Sequence, residues 1–391
     1  MLTADSSSIS RRSLLRRSLA TSLGASLGSW LPSAHATDAQ IAELTQDPLS
    51  ESAIARMVGQ LLVLGLPAKS VSDESAQILC QQIAQGKVGG TVLLRHNIKD
   101  RESLLALAEL FVRADPLVLN AIDQEGGLVQ RLSTPVGFSV LPRARWVADN
   151  FSLLQAEELY FEAGEELRRA GFNVNLAPSV DWHDPENPVI GKHGRSFGSD
   201  ATVIEDYATS FLRGMRRAGL ATTLKHFPGH GTSRGDSHNG FVDISSTWNT
   251  EELRPFRRLA LQAPLVMGGH LVHPRFSDGD IPVTFSRQAL QQELRDQLGF
   301  PGAIITDDLD MGAIRDSYSL EDAVVRSLGA GNDLLLMSNS LDYNPLLPDL
   351  VVEWVSKALV EQRLAPERLI DAYIRVIDLK KRFGFAWRAI G

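Results

Sequence analysis

Cysteine is almost absent from this chain. Cys80 is the single thiol among 391 residues, so no intrachain disulfide can form and a disulfide-stapled scaffold is excluded. Cys80 falls in the helical pattern 75–83, where core packing is its expected role. A basic run is missing too. Lys and Arg number 39 against 47 Asp and Glu, a net charge of −8, which leaves no electrostatic footprint for nucleic acid. No internal repeat is visible. No Gly-x-Gly-x-x-Gly follows the first apolar run, which argues against a dinucleotide-binding sheet.

Residues 1–36 stand apart from the rest. Ser10-Arg11-Arg12-Ser13-Leu14-Leu15-Arg16 reads as a twin-arginine export signal, and Ala34-His35-Ala36 as its small-x-small cleavage site. The mildly apolar stretch between them, Leu19 to Leu31, falls short of the ~20 residues that a membrane span needs. No Cys marks a lipoprotein. The expected partner is the twin-arginine export machinery, the expected location periplasmic or secreted, and no permanent membrane anchor is expected. A disordered basic tail is the plainer alternative. Residues 37–56 form a lead-in. Without the four Arg and one Asp of 1–36, 35 basic and 46 acidic residues remain, a net of −11.

What is present is an alternation. Apolar runs at 61–66, 89–94, 117–122, 174–178, 221–225, 265–269, 303–306 and 333–337 read as strands. Amphipathic stretches at 74–86, 101–114, 155–170, 202–218, 250–262, 286–298 and 320–329 read as the helices between them, with 346–362 and 366–383 after the last strand. Strands separated by helices pair in parallel. Eight of them predict a single-domain α/β fold, a (β/α)8 TIM barrel over 57–391. A doubly wound sheet is the alternative. Polar residues decide between them. Asp123, Arg195, Lys225-His226, His270 and Asp307 all fall at or just past the C-terminal ends of strands, on five different units. A parallel barrel brings those ends to one face.

The chemistry concentrates in three segments. Lys225 to His238 reads KHFPGHGTSRGDSH. It is too rich in ionisable groups for a core, and Pro228, Gly229 and Gly231 break any helix. Asp236 and His238 are spaced so that a carboxylate can hold one tautomer of the ring and raise its basicity. The strand ending at Thr306 runs into Asp307-Asp308, two carboxylates pointing to opposite sides of the chain. The strand ending at Ile122 runs into Asp123-Gln124-Glu125-Gly126-Gly127.

These segments resemble the bacterial β-N-acetylglucosaminidases of glycoside hydrolase family 3, the single-domain β-N-acetylhexosaminidases. The family's strings VDQEGGRVQR, KHFPGHG with a following DSH, and S/TD-x-L-x-M appear here as IDQEGGLVQR (122–131), KHFPGHG (225–231), DSH (236–238) and TDDLDM (306–311). A looser match joins Ile190-Gly191 to Gly194-Arg195-Ser196-Phe197. The resemblance implies a retaining exo-β-N-acetylglucosaminidase. Asp307 is then the nucleophile of a double displacement. His238 is the acid/base and Asp236 its partner. Asp123, Arg131, Arg195, Lys225 and His226 hold the sugar, while His230 and His270 shape the pocket. The substrate is a terminal β-linked N-acetylglucosamine on a muropeptide or chitin fragment. No cofactor or metal is called for, and a monomer is expected. Leu128 stands where the family has Arg, and no Pro follows the DSH string.

Other readings compete. Asp307 could merely cap the next helix, and Arg131 and Arg195 could be structural ion pairs. His226-x3-His230 has zinc-like spacing, but Pro228-Gly229 removes the helix that would give it meaning. A non-catalytic sugar-binding barrel, or a phosphorolytic or β-glucosidase variant, completes the set.

Overall fold

The computed structural model describes residues 49–237, 240–277 and 279–385. Residues 1–36, read above as an expected export signal, residues 37–48 of the expected lead-in and His238 lie outside the described residues. The chain divides into two units, Met1–Met57 and Val58–Gly391. Residues 49–57 of the first are described, and Glu51 opens a helix that runs to Leu61.

The second unit is built on eight strands: β1 Leu62–Leu64, β2 Gly90–Leu93, β3 Leu119–Ile122, β4 Val174–Asn175, β5 Ala221–Phe227, β6 Leu265–Gly268, β7 Ala303–Thr306 and β8 Leu335–Met337. Each pairs in parallel with its sequence neighbour from β1 to β7, and β8 pairs with β1. A parallel bridge between Ile305 and Leu334 brings β7 to β8 and closes the ring. This is the expected TIM barrel. Every residue of these strands is buried. That explains why they read as continuous apolar runs: both faces of a parallel sheet are covered.

The helices form the outer layer. Ala201–Arg217 is capped by Asp200, whose carboxylate accepts from the N–H groups of Thr202 and Val203. It buries Ile204, Ala208, Phe211, Leu212 and Met215, one helical stripe. It lies against Leu153–Arg169 at Gly214, where a Cβ would come within 2.5 Å of the Glu157 carbonyl oxygen. Only glycine allows that approach.

Three elements differ from expectation. The fourth strand pairs only at Val174–Asn175. Asparagine side chains extend its ladder: Asn173 Oδ1 accepts from Asn120 N at 2.7 Å, and Asn175 Oδ1 accepts from Gln124 N at 3.0 Å. The expected helix 250–262 splits into a 3-10 turn, Thr250–Leu253, and an α-helix, Arg254–Leu259. Pro255 lacks the N–H that a continuous helix would use and starts the second piece instead. The expected helix 286–298 is wound as a π-helix over Gln288–Gln297.

Candidate active site

The C-terminal strand ends open into a cavity of about 640 Å³, within the range of ~300–1,000 Å³ usual for small-molecule sites. Asp123 enters it from the end of β3, Lys225 and His226 from β5, Asp307 and Asp308 from the end of β7, and Arg195 from the β4 loop. The Lys225–His226 peptide is cis, and both side chains line the cavity.

One wall is a charge network. Lys225 Nζ sits 2.8 Å from Asp123 Oδ1 and 2.7 Å from Glu125 Oε1. Arg131 Nη2 donates to Asp123 Oδ2 at 3.1 Å. Arg195 grips Glu125 with both arms of its fork, Nε to Oε2 and Nη2 to Oε1, each at 2.8 Å. Such bidentate pairs are the strong ones. Burial alone would raise both carboxyls. Lys225 and Arg131 outweigh it at Asp123, which is held well below the usual range. Arg195 and Lys225 outweigh it at Glu125, which drops to about 2. Three cations thus face two ionised carboxylates. Each Asp123 oxygen keeps a lone pair for a hydroxyl, and Lys225 keeps one N–H beyond its two carboxylate partners.

A second cluster centres on Asp181, which is fully buried. His226 Nδ1 lies 2.7 Å from its Oδ2, which also accepts from the Ser179 hydroxyl at 2.9 Å. Its Oδ1 accepts the backbone N–H groups of His226 and His230, at 3.1 and 2.8 Å. His230 Nδ1 meets the Ser233 hydroxyl at 2.7 Å. Burial, reinforced by the His226 ring, pushes His230 down to about 4.

The two carboxylates after β7 have different surroundings. Burial would raise Asp307, but His270, His226 and Lys225 outweigh it and hold the carboxyl below its ordinary value. Asp308 is pushed up to about 6, by burial first and then by the nearby charge of Asp310. Asp308 Oδ1 accepts from the N–H groups of Asp310 and Ser338, at 3.0 and 2.9 Å. His270 Nδ1 faces the Thr284 hydroxyl at 2.7 Å, and Nε2 the Asp308 carbonyl oxygen at 3.0 Å.

The structure therefore brings Asp123, Arg131, Arg195, Lys225, His226 and Asp307 around one cavity. Asp236 is half-buried, and Ser237 beside it lines the cavity. His238 lies outside the described residues. Arg195 and Arg131 are ion-paired as well as facing the cavity, so each has the structural job that competed with sugar binding. Glu125 and Asp181 were missed. Glu125 sits inside the Asp123 motif, where its string is a signal. Asp181 is 45 residues from His226, and no spacing announces it.

Comparison with known proteins agrees with this geometry. The family described as glycosyl hydrolase family 3, N-terminal domain, matches residues 53–379. The β-hexosaminidase LpqI of Mycobacterium tuberculosis is 36% identical over 337 residues, 81% of this chain and 84% of that protein. The solved β-N-acetylhexosaminidase of Beutenbergia cavernae aligns with a TM-score of 0.74 at 30% identity, covering 84% of this chain and 98% of that one. The family 3 β-N-acetylglucosaminidase of Paenibacillus sp. FPU-7 aligns with a TM-score of 0.75 at 32% identity. It covers 84% of this chain, which spans 62% of that longer one. A closed parallel barrel, motif residues meeting at its C-terminal face and a match across the whole barrel lead to one assignment: the chain belongs to glycosyl hydrolase family 3 and is a glycoside hydrolase.

Proposed function

We propose that the enzyme is a retaining exo-β-N-acetylhexosaminidase that removes terminal β-linked N-acetylglucosamine from muropeptides or chitooligosaccharides. The observation that carries this reading is the placement of Asp307, an ionised carboxylate at the end of β7 in the same cavity as Asp123, Lys225 and His226. The names borne by the Mycobacterium and Beutenbergia relatives support the same substrate class.

In this reading Asp123, Arg131, Arg195, Lys225 and His226 hold the hydroxyls of the terminal sugar. Asp307 attacks the anomeric carbon as the glycosidic C–O bond breaks, and His238 gives its proton to the departing oxygen. His238 then takes a proton from water, the resulting hydroxide attacks the same carbon, and Asp307 leaves. Two inversions cancel, so configuration is retained. Asp236 stabilises the imidazolium. Before it acts, the enzyme is exported through the twin-arginine route. Cytoplasmic retention of an Arg11→Lys, Arg12→Lys precursor checks that step.

A slow 2- or 5-fluoro glycoside tests the chemistry. The label is expected on the peptide containing Thr306-Asp307-Asp308, and the released sugar should keep its β configuration by NMR. A label on another peptide, or an inverted product, removes Asp307 from the role. Binding of N-acetylglucosamine with no turnover would favour the sugar-binding reading instead.

A further inference from the structure

We propose that Asp181 is a positioning residue that keeps a proton on His226 Nδ1, so that Nε2 is the nitrogen His226 offers to the bound sugar. The proposal rests on the reading that His226 holds the sugar, and it adds the group that decides how.

The geometry is specific. Asp181 has four donors on two oxygens, two backbone N–H groups on Oδ1 and the Ser179 hydroxyl with His226 Nδ1 on Oδ2. An ionised carboxylate can only accept, so Nδ1 must donate. Burial opposes the ionised form, but the hydrogen bonds that the carboxylate accepts from His226 and from the His230 backbone help to hold the carboxyl well below the usual range. The same carboxylate ties down the backbone at both ends of the turn from His226 to His230. It therefore fixes the ring's position as well as its proton.

The tautomer matters because of what surrounds it. Lys225, Arg131 and Arg195 can only donate, and all three line the cavity. Beside these three donors, a sugar hydroxyl that must itself donate can find its acceptor at a carboxylate or at an unprotonated His226 Nε2. Moving the ring proton to Nε2 would set one more donor among donors.

Asp181→Asn tests this with almost no change of shape. The amide oxygen can keep the two backbone N–H groups. Its NH2 then faces His226 Nδ1 and can only donate, so the ring proton must move to Nε2. In 15N-histidine NMR, wild-type His226 is expected to show the Nδ1–H form and Asp181→Asn the Nε2–H form. On an aryl β-N-acetylglucosaminide, kcat/KM should fall about 10- to 100-fold, the cost of leaving a desolvated hydrogen-bonding group without its partner. If Asp181 acts through His226, the same change in a His226→Ala background should cost less than about threefold, since coupled residues are not additive. Ser179→Ala, which removes a donor from the same oxygen without touching the ring, should keep the wild-type tautomer and activity within about threefold.

A wild-type His226 without a proton on Nδ1 overturns the proposal, whether or not any variant folds. So does an Asp181→Asn enzyme with an unmoved tautomer, or one that loses as much in the His226→Ala background as in the wild type. Failure of the wild-type enzyme to cleave the glycoside would sink the functional reading, and the NMR result would still decide the role of Asp181.

Discussion

Asp307 and Asp308 are neighbours with opposite surroundings. Asp307 stays ionised because His270, His226 and Lys225 face it, against the pull of burial. Asp308 is pushed up to about 6 because burial and Asp310 act together, and its Oδ1 is engaged by two backbone donors. Asp307→Ala should therefore lower kcat on an aryl β-N-acetylglucosaminide by about 10³-fold or more, since no covalent intermediate can form. Asp308→Asn should stay within about tenfold, because an amide oxygen can accept the same two N–H bonds. Comparable losses in the two variants would contradict this division of roles. At this scale the sequence was informative where a motif string carried the residue. Asp123, Lys225, His226 and Asp307 could all be named. Asp181 could not, because its partnership with His226 is made by two strand ends meeting. Nor could the ion-pair partner of Arg195, because its fork finds Glu125 only across 70 residues of chain.

A second buried acid, beside Asp181, helps to hold the loop that follows β5. Glu252 accepts from Gly231 N at 3.1 Å and from the Thr232 hydroxyl at 2.7 Å. Gly231 itself must be glycine, since a Cβ there would lie 2.1 Å from the Trp182 carbonyl oxygen. Burial pushes Glu252 up to about 7 from its ordinary 4.5, with the charge of Asp181 adding to it. The sign follows. Between pH 4.5 and 7 the folded protein binds this proton and the unfolded chain does not, so stability from this group falls as pH rises through that window. The full difference is about 3 kcal/mol. Glu252→Gln mimics the protonated acid. It should be more stable than wild type at pH 8, by up to about 3 kcal/mol, and nearly equal at pH 4.5. Urea unfolding of both proteins at the two pH values checks it, and an equal offset at both would refute it. The sequence showed the loop, through its glycines and Pro228. It showed the following helix only in part, because the 3-10 turn at Thr250–Leu253 is a compromise between Asn249 capping and Pro255.

For the whole molecule, the alternation of apolar runs and amphipathic stretches was sufficient to foresee eight strands and their closure. It could not show what locks the last seam. That lock is Asp333, fully buried just before β8. Its Oδ2 accepts from Ile304 N at 2.9 Å and from Arg295. Its Oδ1 accepts from Arg368 and, at 3.3 Å, from Arg375. One carboxylate thus ties β7 to the helices Gln288–Gln297 and Pro366–Phe383 where the ring closes. Arg295 is itself buried, and desolvation lowers it to about 10 despite Asp333 beside it. Removing the carboxylate would leave that guanidinium without its counter-charge. Asp333→Ala should cost about 3–5 kcal/mol in unfolding free energy, the usual penalty for breaking one side of a buried ion pair. Adding Arg295→Met should recover part of the loss, because the orphaned charge goes with it. Asp333 precedes β8, whereas Ser338, which lines the cavity, follows it. The folded fraction of Asp333→Ala should therefore retain wild-type kcat/KM. Denaturant unfolding paired with active-site titration separates the two effects. A fully stable Asp333→Ala, or one whose folded fraction is inactive, would show that the seam is held elsewhere or reaches the site.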